Sequence, residues 1–170
     1  MKGRFLPGTS SKTLLNLTEE VLKDSQFEYE RISDTDAYSI DYSFDDVSWM
    51  IFVQVVENLG LVIAYSSCPF SIEQEYHSQV MEFSSRLNYV LFEGGFEMDT
   101  ADGDLRFKTS AFVGSEASPT TLSEEDIKAL IQHTVFSNIF VATISFPSVA
   151  KIVRGIISVD EAVVASSDLG

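Results

Sequence analysis

Strict alternation marks residues 38–44, where Tyr38, Ile40, Tyr42 and Phe44 are separated by Ser39, Asp41 and Ser43. That is the period of a strand with one buried and one wet face. The next stretch, SWMIFVQVVEN, is apolar on both parities, with Trp49, Ile51, Val53 and Val55 on one and Met50, Phe52 and Val56 on the other. It predicts a central strand covered on both sides or a strand at a dimer contact. NLG turns the chain and LVIAYSSC supplies a third strand, so residues 37–68 predict a three-stranded antiparallel meander. Helical spacing appears in TLLNLTEEVLKDS, with Leu14, Leu15, Leu17, Val21 and Leu22 on one stripe. It returns with Ile72, Tyr76, Val80, Phe83 and Leu87, preceded by Ser71 and Gln74 at capping-box spacing. Gly94 and Gly95 end that helix in a tight reversal. Strands are predicted at about 95–100 and 104–113. Ser123 then caps a helix whose buried face is Ile127, Leu130, Ile131 and Val135. Pro147 opens a further helix, and Ser158 with Glu161 repeats the capping box before a short last segment.

The predicted order is α-βββ-α-ββ-α plus C-terminal helices: an α+β fold in which helices pack on an antiparallel sheet of about five strands. At 170 residues and 45% hydrophobic content the chain suffices for one substantial core. The expected organisation is a flexible N-terminal arm over 1–11, a single α+β domain over 12–146 and a C-terminal helical extension over 147–170. Eleven basic against 26 acidic residues give a net charge of −15. Such a charge repels phosphate backbones and anionic lipid, so neither nucleic acid nor membrane is an expected partner. Residues 129–150 carry no Lys, Arg, Asp or Glu. Polar residues from Gln132 to Ser148, together with Pro147, favour a buried amphipathic helix there over a membrane span. Cys68 is the only cysteine, which excludes an internal disulfide and a thiolate cluster. It reads as a small core residue, and no apolar run follows the first basic residues, so a cytoplasmic location is expected.

The segment FEMDTADGDLRF invites a calcium reading, with Asp99, Asp102 and Asp104 around Gly103. Placing Gly103 at the sixth position of an EF-hand loop puts Met98 at the first and Thr109 at the twelfth, where oxygen ligands are required. A hairpin is the better reading. With Asp102 and Gly103 as the central pair of a type I′ turn, Asp99 faces Arg106, Glu97 faces Lys108 and Met98 faces Phe107.

Around this hairpin, RLNYVLFEGGFEMDTADGDLRFKTS resembles the core of YbjN-like proteins, in which a helix ending near an Asn leads to a Gly-Phe strand, an Asp-Gly turn and a return strand. The matching positions are Asn88, Gly95, Phe96, Asp102 and Gly103. The resemblance extends from about 12 to 145 in its order of elements. It implies a fold like the type III secretion chaperones, a tendency to dimerise, and a noncatalytic protein-binding or regulatory role under the family's label of sensory-transduction regulators. It transfers no catalytic residue and no cofactor.

Other candidate chemistry is thin. Glu73 and His77 stand four apart, as two metal ligands on one helical face would, but no third ligand accompanies them. His133 reads as a partly buried helix histidine, and no nucleophile-elbow motif is present. The leading expectation is a noncatalytic protein-binding module, chaperone-like or regulatory, acting as a homodimer with another protein as its partner. Trp49, Ile51 and Phe52 are its candidate surface, although each also suits a core. The alternative is a small-ligand or metal-binding sensor.

Overall fold

The computed structural model describes residues 13–45, 47–115 and 117–167; the arm expected over 1–11 lies outside them. Helix α1 (Leu14–Asp24) is capped by Thr13, whose Oγ1 accepts from the Asn16 amide. The Glu57 carboxylate, from a turn between two strands of the sheet, accepts from the Leu14 and Leu15 amides and so ties the helix start to the sheet. Strands β1 (Tyr29–Arg31), β2 (Ala37–Phe44), β3 (Val47–Val56) and β4 (Leu61–Ser67) follow, then α2 (His77–Val90), β5 (Gly95–Met98), β6 (Leu105–Phe112), α3 (Glu124–Val153) and α4 (Val159–Ser167).

The strands form one antiparallel sheet in the order β1-β2-β3-β4-β6-β5. The expected meander is present, but the sheet has six strands where about five were predicted. The extra one, β1, is a three-residue edge strand, too short for any periodicity to register.

Alternation sorts the sheet into two unlike faces. Tyr38, Ile40, Trp49, Ile51, Val53, Val55, Val62, Ala64, Leu105 and Phe107 point to the core beneath the helices, and all are buried. The opposite parity is uncovered: Met50, Phe52, Val56, Leu61, Ile63 and Tyr65 are only half-buried and Phe112 is exposed. Thus β3 is apolar on both parities while only one of its faces is covered.

Two helix predictions are corrected. The second helix does not start at a Ser71 cap. The Ile72 amide donates to the Gly103 carbonyl at 2.8 Å, which holds this segment extended against the hairpin loop, and a 3-10 turn at Gln74–Tyr76 precedes α2. Pro147 opens no new helix; α3 runs through it for 30 residues, and the boundary drawn at 146 falls inside that helix. The expected cap at Ser123 is present, reinforced by Asp126 in a capping box. By length and composition α3 could cross a membrane, and more than half of its most apolar window is buried within the protein. Leu130, predicted in its buried face, is instead exposed.

Candidate binding groove

Asn138 anchors α3. It is fully buried, donating through Nδ2 to the Ala64 and Phe107 carbonyls at 3.0 Å each, while its Oδ1 accepts from Ser66 Oγ at 2.7 Å. Trp49 Nε1 donates to the same Ser66 hydroxyl at 3.1 Å, and Thr109 Oγ1 donates to the Thr134 carbonyl. Four elements are therefore joined by a satisfied polar network, which fixes the rotation of α3 on the sheet. With Asn138 inward, Phe136 and Phe140 face out.

Those two rings form one wall of an apolar groove of about 960 Å³; Val90, Leu91 and Phe92 at the end of α2 form the other. Phe92 is 100% exposed, Phe140 52% and Phe136 44%, an unusual concentration of uncovered aromatic surface. Glu93 bridges the walls, lying 2.9 Å from His133 Nε2 and accepting from the Ser137 hydroxyl. His133 is thus an exposed groove residue, not the partly buried one expected.

Serine, histidine and carboxylate meet here, but their connectivity does not activate a nucleophile. In a hydrolytic triad the imidazole takes the serine proton and the acid orients the far ring nitrogen. Here both side chains bond the carboxylate, and no hydrogen bond joins Ser137 to His133 among the described residues. The arrangement ties the α2–β5 turn to α3 and leaves one polar bridge across an apolar surface.

The surface residues expected from β3 are separated by the pleat. Trp49 and Ile51 lie in the core, Trp49 edge-on to Phe146, whereas Phe52 stands on the uncovered face between Ser39 and Tyr65. Glu73 lies outside the helix that His77 opens, so the two do not share a helical face, and His77 Nε2 bonds the Ile72 carbonyl instead. Cys68 is buried, and burial pushes its thiol up to about 12.

The hairpin is present with a different turn and register. Phe96 pairs with Phe107, Glu97 with Arg106 and Met98 with Leu105, so Asp99 does not face Arg106. The loop closes through Asp99 N–H to the Asp104 carbonyl and Gly103 N–H to the Asp99 carbonyl. Of the expected central pair only Gly103 has positive φ, which rules out type I′. The Asp99 and Asp102 carboxylates accept from the Ala101 and Asp104 amides, bracing the loop from within. No group of three or more His, Cys, Asp or Glu suited to a metal occurs among the described residues.

Glu97 bonds Arg106 at 2.8 Å and also Lys108, one pair further along the same face. Partial burial raises its carboxyl pKa, but the hydrogen bonds from Lys108 and Arg106 outweigh that and hold it below the usual range. Asn88 caps the adjoining edge strand: its Oδ1 accepts from the Phe96 amide at 2.7 Å and its Nδ2 donates to the Phe96 carbonyl. The motif residues Asn88, Gly95 and Phe96 therefore meet as a structural clamp.

Residues 15–124 match the profile of the YbjN family, described as "Putative bacterial sensory transduction regulator". No curated protein matches. Among solved structures the chain is similar to the crystal structure of YbjN, "a putative transcription regulator", from E. coli. That similarity has 14% identity and a TM-score of 0.40 over 70% of this chain and 89% of the other. On the family match, which spans the sheet and reaches the start of α3, the chain belongs to the YbjN family.

Proposed function

We propose that the protein is a noncatalytic regulatory module of the cytoplasm that binds another protein, taking a short amphipathic helix of that partner into the groove between α2 and α3. The family's description as a sensory transduction regulator supports the regulatory half of the reading. The observation that carries the binding half is the cluster of Phe92, Phe136 and Phe140, all substantially exposed around one groove. Aromatic anchors in a concave apolar surface are the usual centre of a helix-in-groove interface. The net charge of −15 and Glu93 across the groove favour a partner segment with basic residues beside its apolar face.

Comparative capture from native lysate tests this with three baits: the wild-type chain, Phe140→Glu in the groove and Ile63→Lys on the opposite side of the sheet. The expected result is a protein retained by the wild type and by Ile63→Lys but lost from Phe140→Glu. Identical captures by all three would refute it. The groove's volume also suits a drug-sized apolar molecule. Saturable binding of a fatty acid that Phe140→Glu abolishes, without any groove-dependent protein, would favour that ligand-sensor reading.

A further inference from the structure

We propose that α4 is a displaceable plug: it fills one half of the same α2–α3 cleft whose other half is the aromatic groove, and the partner's amphipathic helix takes its place. The inference rests on the groove reading above and adds its regulation. The course of the chain sets the two halves in line. α4 starts beside Tyr76 and Gln79 at the head of α2 and Ile152 near the tail of α3. Asp160 then pairs with Arg86 of α2, and Ser166 further along bonds Ser148 of α3. The last residue of α4, Ser167, lines the groove together with Val90 and Val141. The groove therefore begins where α4 stops. Its open half, lined along α3 from His133 to Val141, is about 12 Å long, about two turns of helix. With the seat of α4 added, the cleft takes a helix of about four turns, near the usual length.

The seat holds α4 lightly. Within α4 only Ala162 and Ser166 are buried, and Val164 is exposed. On α3, Val141, Ser145, Ser148 and Ile152 recur at helical spacing, one stripe running from the groove past Ser166 to the start of α4. Ser145 on that stripe is fully buried, yet its hydroxyl has no hydrogen-bond partner among the described residues, and the buried Ser84 hydroxyl of α2 is in the same condition. Buried hydroxyls without partners weaken the packing around them, and an incoming helix with a polar side chain at this level would satisfy them. The Arg86–Asp160 pair is solvent-exposed, so it adds little. Gly155 turns the chain between α3 and α4 at φ 64°, with nothing within 4 Å of where its Cβ would stand, so the joint is free of packing. Ser158 and Glu161 bond each other's amides in a capping box, which lets α4 leave its seat as a formed helix.

Native-state hydrogen exchange of the full chain tests the plug without any partner. The amides of Val163, Val164 and Ser166 are expected to exchange about 100-fold faster than those of the fully buried Val135 and Ala142 in α3. Asp160→Arg, which sets two guanidinium groups side by side, is expected to speed exchange in α4 about five-fold and leave α3 unchanged. A disulfide between Ser148→Cys and Ser166→Cys, whose parent hydroxyls lie 2.9 Å apart, is expected to slow α4 to the rate of α3. Wild-type α4 amides as slow as those of α3 overturn the plug. Lysate capture then tests its regulatory role: the oxidised double variant is expected to lose the groove-dependent protein that its reduced form retains, and Asp160→Arg to capture more of it than the wild type. Equal capture by the oxidised and reduced forms also overturns the plug. A wild type that captures no groove-dependent protein refutes the groove reading itself, whereas slow α4 exchange with intact capture refutes the plug alone.

Discussion

Asn138 shows how one side chain can organise a fold without announcing itself. In sequence it is a polar interruption of an apolar helix, indistinguishable from Ser137 beside it; in the structure it makes three hydrogen bonds to β4 and β6. Asn138→Ala leaves two carbonyls without their donor and removes the acceptor for the buried Ser66 hydroxyl. It should cost about 2–4 kcal/mol in urea unfolding. Ser137→Ala, on the exposed side of the same turn, should cost well under about 1 kcal/mol. Gly103 is demanding for a different reason: its φ is 76°, and a Cβ there would stand 2.1 Å from the Ile72 carbonyl oxygen. Gly103→Ala is accordingly expected to destabilise by about 2 kcal/mol or more, measured the same way. Cys68, with its thiol pushed up to about 12 by burial, stays protonated and covered at neutral pH. Its folded pKa lies above the unfolded one, so its contribution to stability is intact below pH 9 and fades as pH rises toward 12. Iodoacetamide at pH 8 should therefore leave the native chain unlabelled and label it in urea; rapid native labelling would show that the thiol is accessible.

At the scale of elements, period-two and helical patterns located most strands and helices, but not what tertiary contacts decide. The β5–β6 register illustrates the limit. Moving from the expected register to the observed one shifts the pairing by two residues, and a two-residue shift returns every side chain to its original face. Alternating charge and hydrophobicity discriminates against a one-residue slip and is blind to a two-residue one. The choice falls to the loop, where two aspartate side chains and Gly103 close a longer connection docked on Ile72. The Glu97 carboxyl reports on this register. Its depressed pKa means that its contribution is present above the usual 4.5 and lost as pH falls through the folded value. Glu97→Gln should lower stability at neutral pH and leave it less affected once the carboxyl would be protonated, so that the acid limb of the stability profile flattens; an unchanged acid limb would contradict the ion-pair geometry. The first-turn preference of proline predicts a helix start at Pro147, yet burial of Phe146, Ser148 and Val149 carries α3 across it. Pro147→Ala should restore a helix hydrogen bond and raise stability by about 1–3 kcal/mol, read as a shift in urea midpoint.

For the whole molecule, the acidic balance and the two-sided apolar character of β3 were legible in the sequence, and both bear on the surfaces described. The groove was not. Its walls come from α2 and α3, residues more than forty apart, and Phe136 and Phe140 merge in sequence with the apolar positions that face the sheet. Only the placement of Asn138 in the core shows which side of α3 remains uncovered. The aromatic groove is proposed to bind a segment of another protein. The most direct measurement is photo-cross-linking of the full chain in native lysate, with benzoylphenylalanine replacing Phe92, whose ring is entirely exposed. One reproducible heterologous adduct, lost when Phe140→Glu is added, is the predicted result; adducts only to the chain itself, or adducts unchanged by Phe140→Glu, would contradict it.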